Sequence, residues 1–161
     1  MQDRTVLVTG STDGIGQETA RQLAQLGARV IVHGRRADRC EAVRDDIRTT
    51  TGNPQVDFVA ADLSSQRQVR QLGADIIARY DRLHVLVNNA GVILLKRQLS
   101  EDGVEMSFAV NHLAPFLLTH QLLDLLKKSA PARIVNVSST VHYDAPLKFD
   151  NLQGERRYNG V

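Results

Sequence analysis

The stretch Thr9-Gly10-Ser11-Thr12-Asp13-Gly14-Ile15-Gly16 decides the fold, because it lies where a short apolar run gives way to a helical pattern. Glycine permits a tight turn and a close approach of backbone amides to a phosphate, and the free N–H groups of a helix start carry partial positive charge. This position favours a dinucleotide-binding loop, and an ordinary strand-to-helix turn is the alternative. We therefore expect residues 9–16, the glycine-rich loop, to bind a cofactor.

Outward from this loop, apolar β-branched runs alternate with stretches of helical period, which is the pattern of βαβ units and a parallel sheet. Five short strands are predicted, each continuous in its hydrophobicity as expected where helices cover both faces, at 5–9, 29–33, 55–60, 84–88 and 133–138. Helices are predicted at 15–26, 37–49, 64–80 and 104–128. The sequence thus predicts an α/β fold with one Rossmann-type, doubly wound parallel sheet in a single domain over residues 1–161.

Two of the predicted helices have informative apolar patterns. One face of helix 15–26 should be buried, and it carries Ile15, Thr19, Leu23 and Leu26. In helix 104–128 the leucines fall all round the helix, so one face should meet the sheet and the other should be buried against a partner. Without that partner we expect the second face to be an exposed apolar patch. Pro115 has no N–H and crowds the carbonyl group four residues back, so this helix should kink and leave the Asn111 carbonyl free.

Composition excludes several classes of function. Apolar residues at 42% and charged residues at 24% are typical of an ordinary soluble globular protein. The net charge of +2 is spread along the chain, so nucleic acid is not an expected partner. The lone Cys40 excludes an internal disulfide, and the scattered histidines predict no metal site. With no signal peptide or membrane span recognisable, we expect a cytoplasmic protein without a membrane partner.

The spacing Gly-x-x-x-Gly-x-Gly differs from the usual Gly-x-Gly-x-x-Gly fingerprint, and it resembles the short-chain dehydrogenase/reductase family. Further motifs follow in that family's order, namely Asp62-Leu63, Asn88-Asn89-Ala90-Gly91, Asn111 and Ile134-Val135-Asn136-Val137-Ser138-Ser139. The chain looks most like the retinol-dehydrogenase-like branch at Asn111-His112-Leu113, Phe116-Leu117-Leu118-Thr119 and Leu152-Gln153-Gly154-Glu155. The resemblance implies an oxidoreductase that interconverts a small-molecule alcohol and a carbonyl compound.

Two motifs of this pattern have both a structural and a ligand-binding interpretation. Asp62, followed by Leu63, is on chemistry alone as good a helix cap as an adenine ligand, and the resemblance favours the ligand. Asn89, Ala90 and Gly91 would form a simple turn, or they would let the backbone approach a ribose at the carboxyl end of a parallel strand. The second interpretation is the one we adopt.

The choice of cofactor depends on the end of the second strand, where the chain reads Gly34-Arg35-Arg36. An acidic residue there would accept hydrogen bonds from a ribose 2′-hydroxyl, whereas arginine pairs with a 2′-phosphate through charge and fork geometry. The alternative is two solvated arginines. We predict NADP(H) as the cofactor, with Arg35 and Arg36 as its ligands, in preference to NAD(H).

The catalytic candidates are Asn111 and Ser139. The resemblance implies that the Asn111 carbonyl holds a water in a proton relay and that the Ser139 hydroxyl orients the substrate oxygen. Ser138 is then structural. Polar residues that merely end a strand are the alternative for the serine pair.

The Tyr-x-x-x-Lys motif of this chemistry is absent from the sequence. Tyr80 is followed four residues later by His84 and Tyr143 by Leu147, while for Tyr158 that position lies past the end. We therefore expect a chain that lacks the C-terminal strands and helices of a longer protein and is inactive by itself. The resemblance also implies that the longer protein forms homo-oligomers. The alternative functions are a non-catalytic NADP(H)-binding module and, less compatible with the arginines and serines, a methyltransferase.

Overall fold

The structure, a computed structural model, describes residues 1–140, 143 and 147–158, so Val161 at the end of the predicted domain lies outside it. Its parallel strands are β1 Thr5–Val8, β2 Arg29–Gly34, β3 Val56–Ala60, β4 Val85–Asn88 and β5 Arg133–Asn136. They form one sheet in the order β3-β2-β1-β4-β5. All the predicted strands are confirmed, each with ends within two residues of the prediction.

The helices begin and end where the sequence offers caps. They are α1 Gly14–Gln25, α2 Ala37–Thr51, α3 Gln66–Arg79, α4 Met106–Phe108 and α5 Ala114–Lys128, with a π-helical turn at Ala109–Leu113 and a 3-10 turn at Phe149–Asn151. At α1 the Asp13 carboxylate accepts the Gly14 N–H, and at α3 the Ser65 hydroxyl accepts the Gln68 N–H. At the end of α2, Gly52 takes the left-handed conformation that favours glycine.

Helices pack on both faces of the sheet, each over its own apolar cluster. One cluster joins α1 and α2 to alternate strand residues, including Val6, Val8, Val30 and Val32. The other joins α3 and α5 to the opposite side of the same strands, including Leu7, Ile31 and Leu86. Because side chains alternate across a strand, continuous apolar runs supply both clusters at once. The α/β, Rossmann-type doubly wound sheet predicted from the sequence is confirmed.

The predicted buried face of α1 is wrong at its two ends, while Leu23 between them packs against the core. Ile15 is 73% exposed and Leu26 is 59% exposed, while the buried positions of the helix are Gly16, Ala20 and Ala24. The helix start lies so close to the glycine-rich loop that a Cβ at Gly16 would stand 2.3 Å from the Gly10 carbonyl oxygen. Small residues permit this approach, and larger apolar residues are displaced to the open side.

The expectations for the C-terminal elements also need correction. All four residues of β5 are exposed, because β5 pairs only with β4 and no described helix covers it. The predicted helix 104–128 divides into α4, the π-helical turn and α5. The α5 helix buries one face, with Leu118 and Leu122, while Phe116 on another face is 66% exposed, as expected for an apolar face without its partner.

A widened turn lies directly before Pro115, where the sequence predicts a kink. The Ala114 N–H donates to the carbonyl of Ala109, five residues back, and Pro115 lies in the first turn of α5. Because α5 continues directly from this turn, proline at 115 removes an N–H that would otherwise donate to a carbonyl of the turn. The turn contains Asn111, whose free carbonyl stays a prediction.

Candidate functional site

The candidate site lies between β1 and β4, where the strand order reverses and the carboxyl ends of both strands meet. Thr9, buried just beyond β1, joins the loops that follow these strands. Its hydroxyl donates to the Val87 carbonyl at 3.2 Å and accepts the N–H groups of Asn89 and Ala90 at 3.0 and 3.1 Å. These bonds hold the segment after β4 against the start of the glycine-rich loop.

Two glycines make this contact close. Gly10 has φ of +63°, and a Cβ there would stand 2.7 Å from the Cα of Ala90. A Cβ at Gly16 would stand 2.4 Å from the Asn89 amide nitrogen, which itself donates to the carbonyls of Thr9 and Gly10 at 2.9 and 3.1 Å. The glycines at both positions are therefore required by packing.

Ser11 lies beneath the loop and is fully buried. Its hydroxyl donates to the Val8 carbonyl at 2.7 Å and accepts the His33 N–H at 2.9 Å, while its own N–H donates to the His33 carbonyl at 2.8 Å. Thr9 and Ser11 thus shape the loop from below and do not line the cleft above it.

A cleft of about 650 Å³ opens over the loop, and we name it the nucleotide cleft. It brings together most residues that the sequence nominated for cofactor binding, namely Gly10, Thr12, Asp13, Gly14, Ile15, Gly16, Arg35, Asp62, Leu63, Asn89, Ala90 and Gly91. An added Cβ at Gly14 would meet nothing within 4 Å, so the backbone of the helix start faces open space. Such a start suits a phosphate group.

The structure separates the two arginines of the cofactor prediction. Arg35 lines the nucleotide cleft, whereas Arg36 lies outside it and pairs with the Asp38 carboxylate. The hydrogen bond from Arg36 lowers the pKa of Asp38. The second cleft arginine is Arg39, whose guanidinium lies 3.0 Å from the Asp13 carboxylate. The sequence analysis missed Arg39, although its place in the first turn of the helix after β2 is a usable signal.

Asp62 lines the nucleotide cleft and is not the cap of α3. One carboxylate oxygen accepts the Ser64 N–H at 2.9 Å and the Ser64 hydroxyl at 2.8 Å, which forms a turn, while the cap position belongs to Ser65. The helix-cap interpretation of Asp62 is therefore wrong.

A second and wider cleft of about 1190 Å³, the outer cleft, holds both catalytic candidates, Asn111 and Ser139, together with Ser138. Asn89, Ala90, Gly91 and Val92 line both clefts. The loop after β4 therefore forms the wall between them.

Asn111 fixes that wall through its side chain. Its amide oxygen accepts the Val92 N–H and its amide nitrogen donates to the Val92 carbonyl, both at 2.8 Å. On the other side, the Asn88 amide donates to Thr119 at 3.1 Å and to Asn136 at 2.8 Å. Asn88 thus joins β4 to α5 and β5, a role that the sequence analysis did not assign.

An open parallel sheet with a glycine-rich loop and a polar cleft at its switch point defines a Rossmann-type nucleotide-binding domain. Within the described part of the chain, His, Cys, Asp and Glu side chains form no group that could hold a metal ion. No helix in those residues is both long and apolar enough to cross a membrane.

The family model "short chain dehydrogenase" matches residues 4–147, and the chain belongs to that family. It is 50% identical over 156 residues to human retinol dehydrogenase 11, an alignment that covers 97% of this chain. The chain spans about half the length of the curated relatives it matches, 49% for this one.

Two solved structures are also similar. The Pseudomonas aeruginosa RhlG/NADP active-site complex has a TM-score of 0.79 and 32% identity, with 96% of this chain and 61% of that chain covered. A metagenomic short-chain oxidoreductase in complex with NADP has a TM-score of 0.76 and 31% identity, with 86% and 63% covered.

Proposed function

We propose that this chain carries the NADP(H)-binding portion of an oxidoreductase that interconverts an alcohol and a carbonyl compound. The family membership supports the class of reaction. When bound, the nicotinamide would supply or accept the hydride. The chain would hold the phosphates of the dinucleotide in the nucleotide cleft, and the nicotinamide would reach past residues 89–92 into the outer cleft. Hydride transfer requires this, because the nicotinamide ring and the reacting carbon must be in contact.

The observation that carries the choice of NADP(H) is the pair of arginines in the nucleotide cleft. Arg35 follows the last strand position of β2, where a carboxylate would favour a free ribose hydroxyl, and Arg39 enters from α2. Two guanidinium groups suit a dianionic 2′-phosphate by charge and by geometry. The NADP named with both solved structures supports the same choice.

For the substrate, we propose an alcohol or carbonyl compound with an apolar body. The outer cleft combines polar groups, including Ser139, with Ile93, Phe116 and Ile134. The name retinol dehydrogenase 11 supports an apolar alcohol of this kind. The Ser139 hydroxyl would hold the substrate oxygen, and Asn111 would hold the wall and the proton-relay water.

Titration of NADPH and NADH into the protein, followed by nicotinamide fluorescence, tests the proposal. Arg35→Ala and Arg39→Ala should each weaken NADPH binding by about tenfold and leave NADH binding unchanged, because each removes a charged hydrogen-bond donor to the 2′-phosphate. Arg36→Ala is the matched control and should change NADPH binding by less than about twofold, since Arg36 lies outside the cleft. Equal affinity of the protein for NADPH and NADH would refute the choice of cofactor.

A non-catalytic NADP(H)-binding module is the second candidate. NADPH oxidation in the presence of a long-chain aldehyde distinguishes the two. We expect binding without turnover in this chain, and turnover in a protein that supplies a tyrosine and a lysine after Ser139. A cytoplasmic location stays a prediction.

We further propose that the exposed face of α5 mediates self-association in the longer protein. Phe116 is 66% exposed on this face, and large exposed apolar side chains favour contact with another protein surface. Sedimentation velocity at micromolar concentration should show association that Phe116→Ser reduces. A monomer that Phe116→Ser leaves unaltered would contradict this proposal.

A further inference from the structure

His33 is a buried polar side chain that the proposed function does not yet use. It lies near the end of β2, is 1% exposed and lines the nucleotide cleft from within. It follows the continuous apolar run Val30-Ile31-Val32, so an imidazole at this core position needs a polar partner. It finds that partner in the glycine-rich loop.

Two consecutive loop residues bond to His33. The Gly10 N–H donates to the imidazole Nδ1 at 3.2 Å. The Ser11 hydroxyl accepts the His33 N–H at 2.9 Å, and the Ser11 N–H donates to the His33 carbonyl at 2.8 Å. The backbone bonds would exist with any residue at position 33, so the bond to Gly10 is the one that requires an imidazole.

This bond also fixes the state of the ring. Because Nδ1 accepts a hydrogen bond, a neutral ring carries its proton on Nε2, which has no hydrogen-bond partner among the described residues. Burial lowers the pKa of His33 to about 4, an effect that the Ala61 backbone and the Asp62 carboxylate only partly offset. The other charged groups lining the cleft are Asp13, Arg35 and Arg39. The ring is therefore neutral near pH 7 and remains an acceptor.

The amide that His33 holds controls the path of the loop. Gly10 is in the left-handed region and is packed against Ala90, so its peptide plane directs the chain into residues 12–16. An amide without an acceptor in this half-buried place would be partly unsatisfied and free to reorient. Preorganised loop amides bind phosphate better than amides that must first be ordered.

We propose that His33 is a positioning residue for the phosphate site: its imidazole Nδ1 holds the Gly10 amide and so sets the glycine-rich loop for the dinucleotide. This inference rests on the proposed function, since it assumes that the loop binds NADP(H). In this role His33 acts through the Gly10 amide.

Two matched variants test the proposal. His33→Phe keeps a ring of similar size without the acceptor, whereas His33→Asn places an amide oxygen near the position of Nδ1. NADPH titration at pH 7.5 should show about tenfold weaker binding for His33→Phe and a change below about threefold for His33→Asn. Equal weakening in both variants, or none in His33→Phe, would overturn the role of the acceptor.

A second measurement keeps this test separate from the proposed function. Hydrogen exchange of the Gly10 amide, followed by NMR without nucleotide, should be slow in the wild type and in His33→Asn, and fast in His33→Phe if it folds. Fast exchange in the wild type would refute the positioning role. Slow exchange together with no NADPH binding by the wild type would refute the proposed function and leave the positioning of Gly10 in place.

Discussion

The nucleotide cleft and the outer cleft share a wall but are built differently. Around the nucleotide cleft, buried groups, among them Thr9, Ser11 and His33, join the segment after β1 to β4 and to the end of β2 by hydrogen bonds. Around the outer cleft, Ser138 and Ser139 follow an exposed strand that pairs with β4 alone. The first cleft lies over the middle of the sheet and the second lies over its edge.

This difference places most of the proposed cofactor-binding residues in a buried hydrogen-bonded region and the catalytic candidates at the exposed edge of the sheet. Hydrogen bonds among buried groups are strengthened by the low local dielectric, so the nucleotide cleft is preorganised. Exposed edge strands open more readily, because they have few buried apolar contacts. We therefore expect changes beneath the glycine-rich loop to affect binding and stability together, and changes around the outer cleft to leave NADPH binding nearly intact.

The largest effect is expected from Gly16→Ala. The added Cβ would stand 2.3 Å from the Gly10 carbonyl oxygen, and 2.4 Å from the Asn89 amide nitrogen, which is held by its own hydrogen bonds. Neither group can move without opening the loop, so we expect a loss of about 3 kcal/mol in the free energy of unfolding. NADPH binding should weaken by at least about a hundredfold, as measured by fluorescence titration, with stability measured by urea unfolding.

Gly73→Ala is the matched control, because Gly73 is also a helical glycine with a crowded Cβ position. There the nearest atom, at 2.7 Å, is the end of the Gln121 side chain, which can turn away. We expect less than about 1 kcal/mol of destabilisation and unchanged NADPH binding. If Gly16→Ala behaved like Gly73→Ala, the loop would be less constrained than the packing indicates.

The next effect is a dependence of stability on pH that originates at His33. Its pKa is lowered from 6.5 to about 4 in the folded protein, so the unfolded chain takes up a proton at a higher pH. The contribution of His33 to the free energy of unfolding is fully present above pH 6.5 and is lost as the pH falls toward 4. The loss over that interval should be about 3 kcal/mol. His33→Asn, which does not titrate, should show a flatter profile in urea unfolding between these pH values.

Carboxylates that titrate over the same interval are common to both proteins, so only the difference between the two profiles reports on His33. Parallel profiles would show that the imidazole is more accessible to a proton than its burial indicates. Parallel profiles would also show that the groups around the nucleotide cleft are no more protected from solvent than those around the outer cleft.

A smaller effect is expected at the outer cleft from Asn111→Ala. The substitution removes both hydrogen bonds to Val92, but they lie at the surface, so we expect about 1 kcal/mol of destabilisation. NADPH binding should change by less than about twofold, while the Val92 amide should exchange much faster in NMR. Asn111→Asp, which keeps the acceptor for the Val92 N–H, should retain most of that protection. A large loss of NADPH binding in Asn111→Ala would show that the two clefts are coupled.

The nucleotide side of the molecule was more predictable from the sequence than the outer side. Alternating apolar runs and the glycine-rich loop are properties of the backbone and of adjacent residues, so the strands and most of the cleft could be predicted. The directions of the side chains could not be predicted from the sequence. Arg36 turns to Asp38 while Arg39 reaches the cleft, because side chains in a first helical turn point back toward the loop before it.

Burial was the weakest part of the prediction, for reasons that are tertiary. Helical periodicity placed Ile15 inside, but the close approach of α1 to the loop selects glycine and alanine for the buried face. The apolar sequence of β5 predicted a covered strand, and exposure depends instead on its place at the sheet edge. His33 gave no sequence signal, since its role requires that β2 lie beside the glycine-rich loop.

The smallest effect should come from Asp13→Asn, at the exposed rim of the otherwise buried network. One Asp13 oxygen accepts the Gly14 N–H at 2.8 Å and the other lies 3.0 Å from Arg39, so asparagine can keep the cap while it releases the arginine. An exposed ion pair contributes little to stability, and unfolding should change by less than about 0.5 kcal/mol. NADPH binding should strengthen by about threefold at low salt, because a negative charge leaves the phosphate site and Arg39 becomes available. In Asp13→Asn combined with Arg39→Ala, most of this gain should disappear, and a gain that persisted would assign it to the carboxylate charge alone.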